Sequence, residues 1–314
     1  MVNLSDLETE ATYDRIAAMR LVEDAPAYQC SSYLNEDLPS HPMTSANDSI
    51  DADCRAKMVN WSLSIVDYCG FNRETVAVAL SFVDRFLSQR TTAATEVLSD
   101  RRKFQLLFMA ALHIAVKTRE QMQLDGPLLS KLSRGTYAAN EFIEYERHLL
   151  ELLGWRVSGP TAMDFVREYL LLLPKNGVNP SVQARLLDCA QRQSELAMRD
   201  FKFTTIKRSV VGQSAILNSI ESMGYHEFPS RQRAEFFATL EDATGLDTKC
   251  EVVFESRLWL QEACISICAT TTGDHKHESN TTHAQRDHEH AKGSAGESKS
   301  DSPVCVSRLS FSRR

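Results

Sequence analysis

Glycine and proline are scarce in this chain of 314 residues, which contains only 12 and 9 of them. Strict alternation of apolar and polar residues, the pattern of half-buried β-strands, is scarce as well. Long stretches instead place apolar side chains at helical spacing, and 43% of the residues are hydrophobic, which is enough for a real core. The sequence therefore predicts an all-α fold.

The chain also lacks an excess of basic residues and long apolar runs. Asp and Glu number 42 against 35 Lys and Arg, a net charge of -7, which speaks against a protein that coats nucleic acid or an anionic membrane. No uncharged apolar run approaches the roughly 18–20 residues of a membrane span. Residues 1–8 carry acids where a signal peptide needs a basic and then an apolar stretch. We therefore expect a protein of the nucleus or cytoplasm that is neither secreted nor membrane-bound.

Close C-x-x-C pairs are absent, although the chain has eight cysteines. Without an export signal, this favours reduced thiols over a disulfide framework. The sequence also lacks a nucleophile–base pattern, a glycine-rich phosphate loop and a metal-binding constellation, so we expect no enzymatic activity, no cofactor and no metal site. The scattered cysteines are Cys30, Cys54, Cys69, Cys189, Cys250, Cys264, Cys268 and Cys305.

Helical periodicity divides the chain into consecutive segments, with Asn72, Asp100 and Thr161 as predicted N-caps. Pro160 cannot lie inside a helix, so the run 154–161 marks a domain boundary. On either side lie five predicted helices, which suggests a duplicated architecture. The predicted helices cover residues 8–23, 53–69, 73–89, 102–118, 127–133, 138–153, 161–173, 181–200, 205–222, 230–244 and 248–268. The predicted domains are residues 1–52, 53–158 and 159–268, followed by a tail over 269–314.

The tail of residues 269–314 has a composition that cannot bury enough apolar surface to offset its ordering entropy, so it is predicted to be disordered. It contains almost no apolar residues before Val304–Phe311. Five of the nine histidines lie in it, but a flexible segment offers no preformed geometry for a metal ion. Ser302-Pro303 is a minimal proline-directed phosphorylation site, and its use is left open.

Two opposite charges interrupt helical faces that should be apolar. Glu146 lies within the stripe formed by Phe142, Leu149 and Leu150, and Lys117 continues the buried face of the preceding long helix. A cation in the last turn of any helix explains Lys117 equally well. An unpaired buried carboxylate is costly, so Glu146 needs an internal or an external partner. The two charges suggest a rim that grips polar groups of another molecule.

A third charge, Arg55, lies early in a helix whose other inward positions are apolar. Its expected counter-charge is Asp84, which also stands among large apolar residues. A guanidinium can hold a carboxylate through two parallel hydrogen bonds. We therefore predict a buried structural ion pair between Arg55 and Asp84.

Several runs resemble motifs of the cyclin family. Residues 55–61, Arg-Ala-Lys-Met-Val-Asn-Trp, resemble the opening of a cyclin box, and residues 82–87, Phe-Val-Asp-Arg-Phe-Leu, resemble a run of its second helix. Residues 146–155 are similar to the family's Glu-x-x-Leu/Val-Leu-x-x-Leu-x-aromatic helix end, and residues 160–165 to the entry of a second cyclin fold. The resemblance spans about residues 10–265 and implies two tandem five-helix cyclin folds after an N-terminal helix. The family's hallmark positions are Arg55, Leu106, Ala115, Lys117 and Glu146.

This resemblance implies a non-catalytic subunit that binds and activates a cyclin-dependent Ser/Thr protein kinase as a heterodimer, in cell-cycle control. In cyclins the hallmark Lys and Glu bond backbone groups beside the kinase αC helix. Carried over, Lys117 and Glu146 would form this polar clamp. The apolar contact would come from Leu150, Trp155 and Val157.

Some positions depart from the family pattern. Thr118 stands where many members have an aromatic residue, which removes one apolar contact. The substrate-docking patch of the family falls on Cys54, Met58 and Trp61, but its neighbouring apolar and acidic residues are replaced by Lys57 and Ser64. Recruitment of basic–apolar substrate motifs is therefore in question, and burial preferences favour Trp61 as a packing residue. The segment 21–28 loosely resembles the region before the box in D-type cyclins, and the subtype is left open.

The alternative hypothesis is a transcription-associated protein with the same double fold, either a relative of general factor IIB or the cyclin of a transcriptional kinase. A DNA-facing relative of factor IIB should carry a basic face and often a zinc ribbon. This acidic chain without a C-x-x-C pair shows neither, so we do not expect nucleic acid as a partner.

Overall fold

A computed structural model describes residues 4–34, 49–122, 124–174 and 178–273, with side chains from residue 7 to residue 266. The described residues form twelve α-helices, two short 3₁₀ segments at Pro26–Tyr28 and Phe201–Thr205, and no β-strand, which confirms the predicted all-α fold. None of these helices has the length and apolar character needed to cross a membrane. The helices are α1 (Leu4–Asp24), α2 (Ala52–Cys69), α3 (Glu74–Ser88), α4 (Thr92–Leu98), α5 (Arg101–Arg119), α6 (Gly126–Leu132), α7 (Ala139–Leu152), α8 (Ala162–Leu171), α9 (Pro180–Arg199), α10 (Arg208–Glu221), α11 (Ser230–Thr244) and α12 (Glu251–Gly273).

Local capping fixes several helix starts where the sequence predicts them. The Asp100 carboxylate accepts the backbone N–H groups of residues 102 and 103, at 2.8 and 3.2 Å. Thr161 and Asp164 form a reciprocal capping box at the start of α8. Asn72 accepts the N–H of Glu74 at 2.9 Å, although α3 begins one residue later than predicted.

Three predictions of secondary structure need correction. No helix is predicted between residues 89 and 102, but α4 lies there. Its seven residues are too few to show a clear helical period. Residues 201–205 form a 3₁₀ segment, so α10 begins at Arg208 instead of residue 205. The backbone of α12 continues to Gly273, five residues past its predicted end and into the predicted tail. The rest of the tail, with its histidines and Ser302, lies outside the described residues.

The helices α2 to α7 surround one apolar core. The side chains of α3 and α5 fill its centre, and Phe82, Phe86 and Phe108 are almost completely buried there. Partly buried residues of the second half, Met198 and Phe201, pack against the same core. The core of the first half is therefore covered on one side by residues at the end of α9 and in the 3₁₀ segment that follows it.

A second core lies among α8 to α12 and also takes in α1. Ile16 of α1 is fully buried and belongs to this second core. At the end of α1, Glu23 accepts the Ser209 N–H at 3.0 Å, at the N-terminus of α10, where a carboxylate is favoured. Burial raises the pKa of Glu23 more than this hydrogen bond lowers it. The bounds predicted for the domains stay a prediction.

Candidate functional site

The C-terminal end of α5 and the middle of α7 form an open groove. The Asp100 cap starts α5 so that Lys117 falls in its last turn, with its side chain about one-third exposed. Glu146 lies on the facing side of α7 and forms an ion pair with Lys117. The two charges that interrupt apolar stripes in the sequence therefore meet directly, 29 residues apart in the chain. The α5–α7 groove is lined by His113, Lys117, Leu124, Asp125, Gly126, Leu129, Ala139, Phe142, Ile143, Glu146, Arg147, Leu150 and Trp155.

Glu146 is the charged centre of the α5–α7 groove. His113 Nδ1 lies 3.0 Å from Glu146 Oε2, although its angle does not meet hydrogen-bond geometry. Burial raises the pKa of Glu146, but the interactions with His113 and Lys117 outweigh burial and hold this pKa below its usual value. The carboxylate is therefore ionised at neutral pH and can accept further hydrogen bonds from a bound molecule.

Apolar side chains stand exposed beside this ion pair. Ile143 is 56% exposed and Trp155 is 66% exposed, which is unusual for side chains of this size. Leu150 is half-buried between them and packs against the first core. An apolar surface with a carboxylate and an ammonium at its centre suits a partner that offers an apolar helix face and free backbone polar groups.

The turn after α7 holds Trp155 outward. The Trp155 N–H donates to the Leu150 carbonyl at 2.9 Å, and the Gly154 N–H donates to the Glu151 carbonyl at 3.0 Å. These two bonds form a Schellman motif with Gly154 at the left-handed position, φ 58°. Trp155 itself has φ 59°, a backbone conformation that is uncommon for a bulky residue. The turn at Gly154 that ends α7 therefore also sets the outward position of the Trp155 side chain in the groove.

The structure brings most, but not all, of the predicted contact residues together. Lys117, Glu146, Leu150 and Trp155 line the α5–α7 groove, whereas Val157 does not and instead packs partly buried against the first core. Sequence reasoning missed Ile143 as a groove residue. Ile143 lies three residues before Glu146 and seven before Leu150, and this spacing places all three side chains on one helical face. The sequence therefore did contain a signal for Ile143 as a groove residue.

Arg55 and Asp84 form a separate, buried site between α2 and α3. Arg55 Nε and Nη2 donate to the two Asp84 carboxylate oxygens, at 3.1 and 2.8 Å. Two further contacts were not foreseen from sequence. Tyr33 donates its hydroxyl to Asp84 at 2.7 Å, and Arg55 Nη1 donates to the Met198 carbonyl of α9 at 2.8 Å. The pair therefore links the first core to the second half of the chain.

The residues of the family's docking patch are largely inside the protein. Met58 and Trp61 are buried in the first core, and Cys54 packs partly buried against it. In the part of the chain that the structure describes, no group of three or more His, Cys, Asp or Glu side chains is placed to hold a metal ion.

Comparison with known proteins gives consistent matches. The family model "Cyclin, N-terminal domain" matches residues 27–158. "Cyclin-A1-2" of Arabidopsis thaliana is 27% identical over 207 residues, 66% of this chain and 43% of that relative. "G2/mitotic-specific cyclin-B" of Emericella nidulans is 25% identical over 213 residues, 68% of this chain and 41% of that relative. The chain thus spans less than half the length of these curated relatives.

A solved structure extends the likeness beyond the matched family model. The X-ray structure of a viral cyclin from herpesvirus saimiri superposes with a TM-score of 0.54 at 18% identity, covering 68% of this chain and 87% of that protein. At this identity the match speaks for the fold alone. Residues 27–158 match the N-terminal cyclin model, the curated relatives are cyclins, Lys117 and Glu146 meet in one groove and Arg55 lies in a buried pair. The chain is therefore similar to the cyclin family.

Proposed function

We propose that this protein is a regulatory subunit that binds and activates a cyclin-dependent Ser/Thr protein kinase in cell-cycle control. Cyclins are non-catalytic regulators, and the curated relatives carry A-type and B-type cyclin names. The observation that carries the proposal is the Lys117–Glu146 ion pair at the centre of the α5–α7 groove. It supplies a donor and an acceptor within an exposed apolar surface.

The groove suggests how binding would activate a kinase. A protein kinase is active only when the Glu of its αC helix pairs with the Lys that holds ATP. An apolar helix face seated on Ile143, Leu150 and Trp155 would leave its adjacent backbone groups beside Lys117 and Glu146. A partner that binds the active position of αC more tightly than the inactive one shifts the kinase towards activity.

The alternative as a transcription-associated factor has no specific support in the described residues. The overall charge of -7 argues against a DNA-facing role. The choice of kinase within the cyclin-dependent class, and with it the cyclin subtype, is not fixed by the groove. The named A-type and B-type relatives lend no support to the loose D-type resemblance of residues 21–28.

The proposal is tested by a double-mutant cycle on purified protein with Lys117→Ala, Glu146→Ala and both. We expect each variant to lose less than about 1 kcal/mol of unfolding free energy, because both side chains reach solvent. In a complex their hydrogen bonds become desolvated, so each substitution should weaken kinase binding by about 2–5 kcal/mol, or about 30-fold to several thousand-fold. Phosphotransfer at limiting cyclin concentration should fall in parallel.

The matched control is an exposed ion pair between Lys103, which also lies on α5, and Glu96 of α4. Lys103 Nζ lies 2.7 Å from Glu96 Oε2. Lys103→Ala with Glu96→Ala should leave binding to a panel of recombinant cyclin-dependent kinases unchanged. If the Lys117 and Glu146 variants bind and activate a kinase as the wild type does, the groove is not the kinase-binding site. If they unfold, the two residues are structural.

A further inference from the structure

The outer face of α12 carries an exposed apolar stripe that the α5–α7 groove does not include. Phe254, Leu258 and Ile265 are 55%, 42% and 68% exposed. At 100° per residue they lie within about 40° of one another around the helix. Val253 and Leu260 on the opposite face are completely buried in the second core. Large apolar side chains aligned on one exposed face indicate a surface that another segment covers.

Acidic residues flank this stripe along one side. Glu251, Glu255 and Glu262 project about 60–100° from Phe254 around the helix, and so form a row beside the apolar side chains. None of the three belongs to an ion pair in the described part of the chain. A segment that fits this face should therefore combine apolar residues with basic ones.

The chain itself contains such a segment. Residues 304–314 read Val-Cys-Val-Ser-Arg-Leu-Ser-Phe-Ser-Arg-Arg, with four large apolar residues and three arginines. The preceding residues 274–303 contain no Val, Leu, Ile, Met, Phe, Tyr or Trp. Apolar and basic character thus coincide in one short stretch beyond α12.

The length of chain between the two surfaces also fits. Residues 274–303 are thirty in number, and a flexible linker of that length has a mean end-to-end distance of about 30 Å. The rise of α12 from Phe254 to its end at Gly273 is about 28 Å, and from Ile265 about 12 Å. When the mean length of a tether matches the distance that it must span, the tethered segment has an effective concentration in the millimolar range at its docking surface. Weak contacts are then sufficient for docking within one molecule.

We infer that residues 304–314 of the same chain dock on the α12 stripe, with their apolar side chains on Phe254, Leu258 and Ile265 and their arginines along the acidic row. The inference concerns α12 and its own chain, and it does not depend on kinase binding.

The test is photo-cross-linking of the full chain, with a benzophenone amino acid in place of Leu258. Mass spectrometry should find the label joined mainly to peptides of residues 304–314 in the monomer band, with a yield independent of protein concentration. The matched control places the label at Leu171, which is similarly exposed at the end of α8, and should give no tail peptide.

Substitutions in the segment separate its two kinds of contact without any risk to the folded core. Leu309→Ser with Phe311→Ser should lower the cross-linking yield at least fivefold at any salt concentration. Arg308→Glu with Arg313→Glu should lower it to a similar degree at low salt, and the difference from the wild type should shrink at high salt. Ser302→Glu, which brings a negative charge towards the acidic row, should also lower the yield, whereas Ser302→Ala should not.

Two results would overturn the inference. Cross-links found in a dimer band, rising with protein concentration, would assign the stripe to a second copy of the chain. Cross-links within the monomer that are unchanged by the Leu309 and Phe311 substitutions would show that residues 304–314 do not recognise the stripe.

Discussion

At the scale of the residue, Arg55 shows how a buried charge is held. Its side chain is 2% exposed and donates three hydrogen bonds, two to the Asp84 carboxylate and one to the Met198 carbonyl. Burial lowers the pKa of Arg55, but the charges and hydrogen bonds of Asp84 and Tyr33 together outweigh burial and raise this pKa. The guanidinium therefore stays charged, and the buried carboxylate keeps its counter-ion.

Replacement of Arg55 by Ala should lower the free energy of unfolding by about 3–5 kcal/mol, because it leaves Asp84 buried with the Tyr33 hydroxyl as its one remaining partner among the described residues. A urea titration followed by circular dichroism measures this loss. Arg15→Ala is the control, since Arg15 pairs with Glu168 at 2.8 Å but is 47% exposed, and should lose far less. Equal losses for the two variants would contradict a special role for the buried pair.

At the scale of the element, two helices end in a turn with a glycine in the left-handed conformation. The end of α7 closes through Gly154 and turns Trp155 outward, and α2 ends in the same way at Gly70, φ 69°. An added Cβ would meet no atom within 4 Å at either glycine. The cost of a substitution there is therefore that of the left-handed backbone itself.

Gly154→Ala and Gly70→Ala should each lower the free energy of unfolding by about 1–2 kcal/mol, because alanine is strained at positive φ. Gly154→Asn should lose less than Gly154→Ala, since asparagine adopts this conformation more readily. Thermal melts of the three variants measure the difference. A Gly154→Ala variant as stable as the wild type would show that α7 does not end in this turn.

At the scale of the whole molecule, the order of the helices along the chain differs from their grouping into the two cores. The helix α1 comes first in the sequence, yet its buried residue Ile16 belongs to the second core. The first core is in turn covered by Met198 and Phe201 from the second half. Each half of the molecule therefore depends on residues that lie far away along the chain.

Ile16→Ala should destabilise the second core selectively, by about 2–5 kcal/mol as for other large-to-small core substitutions. Native-state hydrogen exchange should show faster exchange of amides in α1, α8 and α11, while those in α3 and α5 keep their protection. Val59→Ala, at a fully buried position of the first core, is the matched control and should accelerate α2, α3 and α5 instead. The reverse pattern for Ile16→Ala would place α1 on the first core.

The sequence by itself determined most helices, the caps at Asp100 and Thr161, and the ion pair of Arg55 with Asp84. Helical periodicity and capping act within four residues along the chain, and a charge on an apolar face demands a counter-charge wherever it lies. The nearness of Lys117 and Glu146 was a hypothesis that rested on two grounds, their interruption of apolar stripes and the family resemblance.

Tertiary structure alone decided the remaining features. The short helix α4 buries only Ala94 and Val97 and has too few residues for a periodic signal. The Met198 carbonyl as a third acceptor for Arg55, the docking of α1 on the second core and the exposure of Ile143 all depend on how distant helices meet. No local sequence pattern predicts which distant helices will contact each other. Every residue has the same backbone carbonyl, so the acceptor for Arg55 cannot be identified from sequence. An apolar side chain does not specify which neighbour covers it.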